Sequence, residues 1–191
     1  MENKEKQVKE ESAGSFIKSL LIDILIAVIL AGIVLFFIRP TIVKQTSMLE
    51  TLQPNDYIIM YQRAYKHATP QRGDIVIFES DLINEETGGT KLLIKRIIGL
   101  PGDKIQIIDD QLYINGEAYV EDYIRDGITP PVDTPLPGET FVVPDGEYYA
   151  LGDNRVVSVD SRTDEVGCIT VDQIRGKAVL RLFPFNKIQR F

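Results

Sequence analysis

A long apolar run near the N-terminus constrains this chain more than any other feature of its sequence. The run extends from Ser19 to Ile38, reads SLLIDILIAVILAGIVLFFI, and carries a single charge, Asp23. At about 1.5 Å per residue, a helix over residues 19–38 spans about 30 Å, the thickness of the hydrocarbon core of a bilayer. The run therefore predicts a transmembrane helix.

Two other interpretations of this run stay open at the level of sequence: a buried helix of a soluble protein and a cleaved secretory signal. The run is longer than the roughly 7–15 apolar residues of a signal, and residues 36–40, FFIRP, contain no small-residue cleavage pattern. A retained anchor is therefore favoured. A weak excess of basic residues before the run, compared with after it, favours a cytoplasmic N-terminus. Lys4, Lys6, Lys9 and Lys18 precede the run, whereas Arg39 and Lys44 follow it.

Charge and composition exclude several classes of protein. The net charge is -7 and the basic residues form no cluster, which argues against nucleic-acid binding. The single cysteine, Cys168, lacks the partners of a disulfide or a zinc site. The single histidine, His67, lies in a polar stretch that is typical of a loop. A Cys-His pair is therefore excluded, and a Ser-His-Asp triad would depend on His67 alone.

Beyond residue 40 the pattern changes to short apolar runs separated by turn signals. Asp109-Asp110, for example, separates the apolar runs 105–108 and 111–114, which predicts a β-hairpin. No long amphipathic helical pattern follows residue 40, so we predict a mainly β body. Residues 1–15 are polar and of mixed charge, and predict a disordered tail.

Four short segments carry residue types suited to nucleophilic catalysis or to tight turns. They are QTSMLETL at 45–52, RGDIVIF at 72–78, KRIIGLPGD at 95–103 and LGDNRVVSVDSR at 151–162. In this order, behind an N-terminal anchor, they resemble the bacterial type I signal peptidases, serine-lysine enzymes that remove signal peptides from exported proteins. IRGKA at 174–178 continues the resemblance, which ends near Phe185.

The resemblance matches Ser47 to the family nucleophile, with its own backbone N–H as oxyanion donor, and Lys95 to the general base. A lysine accepts a proton only as a neutral amine, so its pKa must fall from about 10.4 toward neutrality, and burial has that effect. Strand alternation places Leu93 and Ile97 on the same face as Lys95, which predicts an apolar environment. The alternative is an edge-strand lysine that discourages aggregation.

The resemblance also implies supporting residues. Ser158 matches a serine that hydrogen-bonds the lysine amine. Asp160 matches a carboxylate that supports the site through arginines, here Arg96 and Arg162. A solvent-exposed pair of Asp160 and Arg162, with little energetic value, is the alternative. For Gly152 and the residues after it, an ordinary tight turn is compatible with either interpretation.

The chain departs from the family pattern at three places. Glu50 replaces the usual proline, Val156-Val157 replaces the usual Asp-Asn, and Gln45 stands where some members supply a second oxyanion donor from a hydroxyl. If the carboxylate of Glu50 pointed inward, its charge would raise the pKa of Lys95. If it pointed to solvent, only the stiffness of proline would be lost. Both orientations stay open.

The resemblance implies an antiparallel-sheet catalytic core with a small inserted β segment, preceded by the transmembrane helix. We expect a tail at 1–18, the anchor at 19–38, the core at 39–103 and 147–191, and the insertion at 104–146. The expected partners are secretory preproteins, bound as extended strands, and membrane lipid. No nucleic acid, metal or cofactor is implied, and the body would lie outside the cytoplasm.

Two other functions stay open. Self-cleavage of the LexA-repressor type also uses serine and lysine, although the anchor and the lack of a DNA-binding segment argue against it. A catalytically weak, signal-peptidase-like assembly factor at the membrane is the second alternative. Glu50 and Val156-Val157 favour that alternative, whereas intact Ser47 and Lys95 oppose it.

Overall fold

The computed structural model divides the chain into two units, Met1–Ile38 and Arg39–Phe191. It describes the backbone of residues 2–85 and 87–191 and the side chains of residues 15–32, 34–85 and 87–191. Met1, the first residue of the expected disordered tail, lies outside the described residues.

The first unit contains one helix, α1, which spans Glu2–Phe37. Its apolar part, Ser15–Phe37, has a mean hydropathy of 3.1 and none of it is buried, as expected of a helix that meets lipid. The helix begins earlier than predicted, because the polar residues from Glu2 onward are helical rather than disordered. Glu, Lys and Gln are good helix formers, and helix propagation from an existing turn is much easier than nucleation.

The regular secondary structure of the rest of the described chain is almost all β-strand, which confirms the predicted fold class. In the described residues after α1, the only helical elements are two short 3₁₀ turns, Val171–Gln173 and Phe185–Lys187, and loops and turns connect the strands. The strands are β1 Ile38–Ile42, β2 Tyr57–Tyr61, β3 Ile75–Ile83, β4 Thr90–Gly99, β5 Lys104–Ile108, β6 Gln111–Ile114, β7 Glu117–Ala118, β8 Phe141–Val142, β9 Glu147–Leu151, β10 Ile169–Thr170, β11 Ile174–Phe183 and β12 Gln189–Arg190.

The larger sheet has eight strands, in the order β1-β2-β11-β3-β4-β9-β10, and β12 pairs with β11. The pairs from β2 to β10 are antiparallel. Strand β4 carries Lys95 and lies in the interior of the sheet, with Val76 of β3 opposite Lys95. On its other side, Arg96 of β4 pairs with Leu151 at the end of β9. Lys95 is therefore not an edge-strand lysine.

The smaller sheet has four antiparallel strands, in the order β7-β6-β5-β8. Asp109 and Asp110 join β5 to β6 with φ of 51° and 60°. Two successive positive φ angles define the two-residue hairpin turn that the sequence predicts here. Between β7 and β8 the chain forms turns and irregular structure, as expected from its prolines. The boundaries 104–146 for an inserted segment stay a prediction.

Buried apolar residues of the second unit form three clusters, and two of them fix the segments of interest. Met48 and Leu52, just after Ser47, belong to the first cluster. Leu93 and Ile97, on either side of Lys95, belong to the third. Full burial of such a side chain contributes about 1.5–3 kcal/mol. Apolar packing therefore helps to fix both segments.

Candidate active site

Ser47 lies on a tight turn between β1 and β2 and is 8% exposed. The next residue, Met48, is fully buried, and its carbonyl accepts a hydrogen bond from the N–H of Leu52 at 2.7 Å. This local bond and the burial of both apolar side chains fix the turn. The serine is thus held in place by its neighbours, with a small exposed fraction.

The loop after β9 meets this turn directly. The backbone N–H of Asn154 donates to the carbonyl of Ser47 at 2.9 Å, and its side-chain amide donates to the carbonyl of Thr46 at 3.2 Å. A Cβ added to Gly152 would lie 2.5 Å from the Ser47 carbonyl oxygen and 2.3 Å from Ser158 Oγ. Only glycine permits this approach, so Gly152 brings Ser47 and Ser158 to one place.

Lys95 is 1% exposed, between Leu93 and Ile97 on the buried face of β4. Burial lowers the pKa of Lys95 from 10.5 to about 8. The negative charge of Asp160 opposes this fall, while the positive charge of Arg162 adds to it. An appreciable fraction of Lys95 is therefore a neutral amine near neutral pH, as a general base requires.

Asp160 and Arg162 form a buried ion pair rather than an exposed one, because both side chains are 0% exposed. Arg162 Nε donates to Asp160 Oδ1 at 2.9 Å, and the N–H of Gly152 donates to Asp160 Oδ2 at 3.0 Å. Burial acts to raise the pKa of Asp160, but Arg162 outweighs it and holds the pKa below its ordinary value. Asp160 is thus an ionised carboxylate at neutral pH.

Arg96 does not pair with Asp160, contrary to the expectation from the sequence. Its guanidinium donates to Asp153 at 2.9 and 2.6 Å, and to Thr51 Oγ1 at 3.2 Å. Adjacent side chains of a strand point to opposite faces, so Arg96 cannot share the environment of Lys95. Arg96 instead links the Ser47 turn, through Thr51, to the loop after β9.

The expected hydrogen bond from Ser158 to the lysine amine is not formed in this structure. Ser158 is 6% exposed, and its Oγ forms no hydrogen bond of normal distance and angle among the described residues, although its hydroxyl lies close enough to Asp160 to help lower the pKa of that carboxyl. A buried hydroxyl without a partner is rare. Catalytic hydrogen bonds are often long in a free enzyme and tighten only when substrate binds. The position of Ser158 beside Gly152 is consistent with such a role.

Two of the three departures from the family pattern, Glu50 and Val156-Val157, are exposed. The side chain of Glu50 is 63% exposed and lies 3.9 Å from Arg125, so its carboxylate points to solvent rather than to the amine. Val156 and Val157 are each 56% exposed. Gln45 is half-buried. An inward carboxylate at position 50 is therefore excluded.

Other residues considered from the sequence lie elsewhere or are unreactive. His67 is exposed on a loop. Cys168 packs against the second apolar cluster, and burial raises the pKa of its thiol to about 12. Asp74 is structural, since it accepts hydrogen bonds from Tyr65 and Lys177. Neither the cysteine nor the histidine has the environment of a nucleophile-base pair.

Sequence reasoning missed three residues of this network: Thr51, Asp153 and Asn154. Asp153 is fully buried and accepts from both Thr51 and Arg96. The feature of the sequence that could have indicated them is the high density of charged residues after Gly152. Charged residues that follow a buried strand need partners if they are buried as well. That signal indicates a network but not which residues pair.

Comparison with known proteins finds a family model and several relatives that are similar to this chain. The family model described as "Signal peptidase, peptidase S26" matches residues 15–183. A signal peptidase I of Bacillus licheniformis is 34% identical over 186 residues, 95% of each chain. Signal peptidase IB of Staphylococcus aureus (strain N315) is 32% identical over 189 residues, 90% of this chain and 94% of the relative. The crystal structure of a signal peptidase I from Enterococcus faecalis V583 is 33% identical, covers 58% of this chain and 97% of that one, and gives a TM-score of 0.42.

The close approach at Gly152 predicts a selective loss of stability. Gly152 does not adopt a positive φ, so the obstacle to a side chain is steric alone. We expect Gly152→Ala to lower the free energy of unfolding by about 1–3 kcal/mol, the usual effect of overpacking. Urea denaturation measures this change in the free energy of unfolding. Gly89→Ala is the matched control, because its Cβ would meet nothing closer than Thr87 Oγ1 at 3.7 Å. Equal effects of the two substitutions would contradict the contact.

Proposed function

The chain belongs to the signal peptidase family, peptidase S26, and we propose on that premise that Ser47 is its nucleophile and Lys95 its general base. As a member it is a serine endopeptidase that removes signal peptides. The observation that carries the assignment is the buried amine of Lys95, whose pKa is lowered to about 8 by burial. The loop that binds the Ser47 carbonyl also carries Asp160, whose charge acts on that amine.

The reaction follows from these two groups. The neutral amine of Lys95 takes the proton of Ser47 Oγ as the oxygen attacks the scissile carbonyl carbon. The backbone N–H of Ser47 donates to the resulting oxyanion. Collapse of this intermediate breaks the C–N bond, and the Lys95 ammonium gives its proton to the leaving amine. Water then attacks the acyl ester with Lys95 again as base, which releases the signal peptide and restores Ser47.

The supporting residues tune the base. Asp160 alone would stabilise the ammonium form of Lys95 and raise its pKa, because the two are electrostatically coupled. Its ion pair with Arg162 offsets that charge, so burial remains the dominant effect on the amine. Ser158 is proposed to orient the amine once substrate excludes water.

The helix α1 is proposed to anchor the enzyme in the cell membrane in a single pass, with its N-terminus in the cytoplasm and the β unit outside. The length and the exposed apolar surface of Ser15–Phe37 support a membrane span, and the basic residues before the apolar run 19–38 support this orientation. Translocated preproteins would then reach the serine from the side on which they emerge. We propose that they bind as extended strands.

The nucleophile-base pair predicts a very large loss of activity when either residue is replaced. Ser47→Ala and Lys95→Met should each lower kcat for cleavage of a purified preprotein by about a thousandfold or more, because residues that act as a unit fail together. Ser80→Ala and Lys104→Met are matched controls; Ser80 donates to the carbonyl of Lys91 and Lys104 is exposed on β5. Near-normal cleavage by Ser47→Ala would contradict the assignment. Inactivity of the unmutated enzyme on every preprotein would favour the assembly-factor alternative.

The lowered pKa of Lys95 predicts the pH dependence of kcat/KM. Only the neutral amine is active, so kcat/KM should rise with pH and level off above about 8 rather than near 10.5. Ser158→Ala should lower kcat. Glu50→Gln should leave the profile unchanged, because that carboxylate is exposed. A profile without this rise, or a Glu50→Gln profile displaced toward lower pH, would contradict the account.

The proposed orientation predicts which positions an impermeant thiol reagent reaches. In a Cys168→Ala background, Lys104→Cys should be labelled in intact bacterial cells, because position 104 is exposed in the β unit. Lys4→Cys should be labelled only after lysis. Labelling of position 4, but not of position 104, in intact cells would reverse the topology.

A further inference from the structure

A buried ion pair outside the proposed nucleophile-base pair connects the irregular chain after β7 to the loop after β9. The side chains of Arg155 and Glu121 are each 1% exposed. The Arg155 guanidinium donates to both carboxylate oxygens of Glu121, at 2.5 and 2.8 Å, and its Nε donates to the carbonyl of Gly152 at 2.7 Å. Glu121 thereby fixes the guanidinium of Arg155, which in turn donates to the backbone of Gly152.

Tyr123, two residues further on, reaches the same loop by a second route. Its hydroxyl donates to Glu121 Oε1 at 2.6 Å, and Arg96 lies 3.9 Å above the centre of its ring. Arg96 in turn makes the two-pronged ion pair with Asp153. A cation over an aromatic ring contributes about 0.5–2 kcal/mol, more when it is removed from water. Glu121 therefore contacts Arg155, and Tyr123 contacts Arg96. These two arginines bind the backbone of Gly152 and the side chain of Asp153.

Residues 152–155, which these contacts fix, have little positional freedom. Between Asp153 and Arg155, the N–H of Asn154 donates to the carbonyl of Ser47. Gly152 approaches that carbonyl too closely for any side chain. A displacement of the loop by a few tenths of an ångström would change both contacts, and small misplacements of reacting groups lower rates strongly.

We propose that Glu121 and Tyr123 are positioning residues for the peptidase reaction. Through Arg155 and Arg96, they hold residues 152–155 of the loop after β9 (the Gly152 loop) against the Ser47 turn. The inference rests on the proposed function of Ser47 and Lys95 and extends it to residues that touch neither. Removing the charge of one partner in a buried ion pair leaves the charge of the other uncompensated. The loop is expected to relax away from Ser47 to solvate Arg155 when Glu121 loses its charge.

The test compares two substitutions with matched controls in the full-length enzyme. Glu121→Gln removes the charge, and Tyr123→Phe removes one hydroxyl but keeps the ring under Arg96. Glu117→Gln and Tyr113→Phe are the controls, from exposed and half-buried positions on the neighbouring strands β7 and β6. The measurements are kcat and KM on a preprotein, corrected for the folded fraction, and amide hydrogen exchange of Asn154.

We expect kcat to fall about tenfold in Glu121→Gln and about threefold in Tyr123→Phe, with KM within about twofold of normal, because the loop places reacting groups rather than substrate. Asn154 exchange should quicken in the same order, while the controls change neither quantity. Unchanged kcat and exchange in both variants, or a change in KM alone, would overturn the proposal. If Glu121→Gln fails to fold, Tyr123→Phe decides by the same criteria.

The exchange measurement separates this inference from the proposed function. If the unmutated enzyme cleaves no preprotein, the assignment of Ser47 and Lys95 fails, but faster exchange at Asn154 in both variants would still support positioning of the loop. Exchange at the control rate would overturn the positioning role even if Ser47 and Lys95 proved catalytic.

Discussion

Exclusion of the Lys95 amine from water is the constraint on which the rest of the site depends. Burial lowers its pKa from 10.5 to about 8, and at 1.36 kcal/mol per pKa unit this corresponds to about 3 kcal/mol against the charged form. The cost is offset by the apolar packing of Leu93 and Ile97, which fix β4 inside the sheet. A lysine of a peripheral strand would remain solvated and protonated. The interior position of β4 is therefore part of the chemistry.

The arginines of β4 and of the loop after β9 are paired with carboxylates. Asp160 pairs with Arg162, Asp153 with Arg96, and Arg155 with Glu121. Asp160 and Asp153, the two carboxylates that act to raise the pKa of Lys95, each have an arginine partner, so they raise it less than they would alone. Removing one partner from a buried pair is costly, which makes the network sensitive to single substitutions.

The sequence allowed prediction of the fold class, of the Asp109-Asp110 hairpin and of the apolar face around Lys95, because these depend on local pattern and strand alternation. It did not allow prediction of which charges pair. Arg96 was assigned to Asp160 and lies with Asp153, since a one-residue step in a strand reverses the direction of the side chain. Glu121 and Arg155 are 34 positions apart, and each lies in an irregular segment whose contacts no sequence periodicity predicts. The orientation of Glu50 also depended on tertiary structure.

Direct titration of the Lys95 amine tests the central claim. The enzyme is labelled with ¹³C at the lysine Cε, the Lys95 resonance is assigned by its loss in Lys95→Met, and its chemical shift is followed with pH. The account predicts a midpoint of about 8, well below that of the exposed Lys104 in the same sample. A Lys95 midpoint near 10.5, equal to that of Lys104, would show that the amine is protonated at neutral pH and would contradict its role as the base.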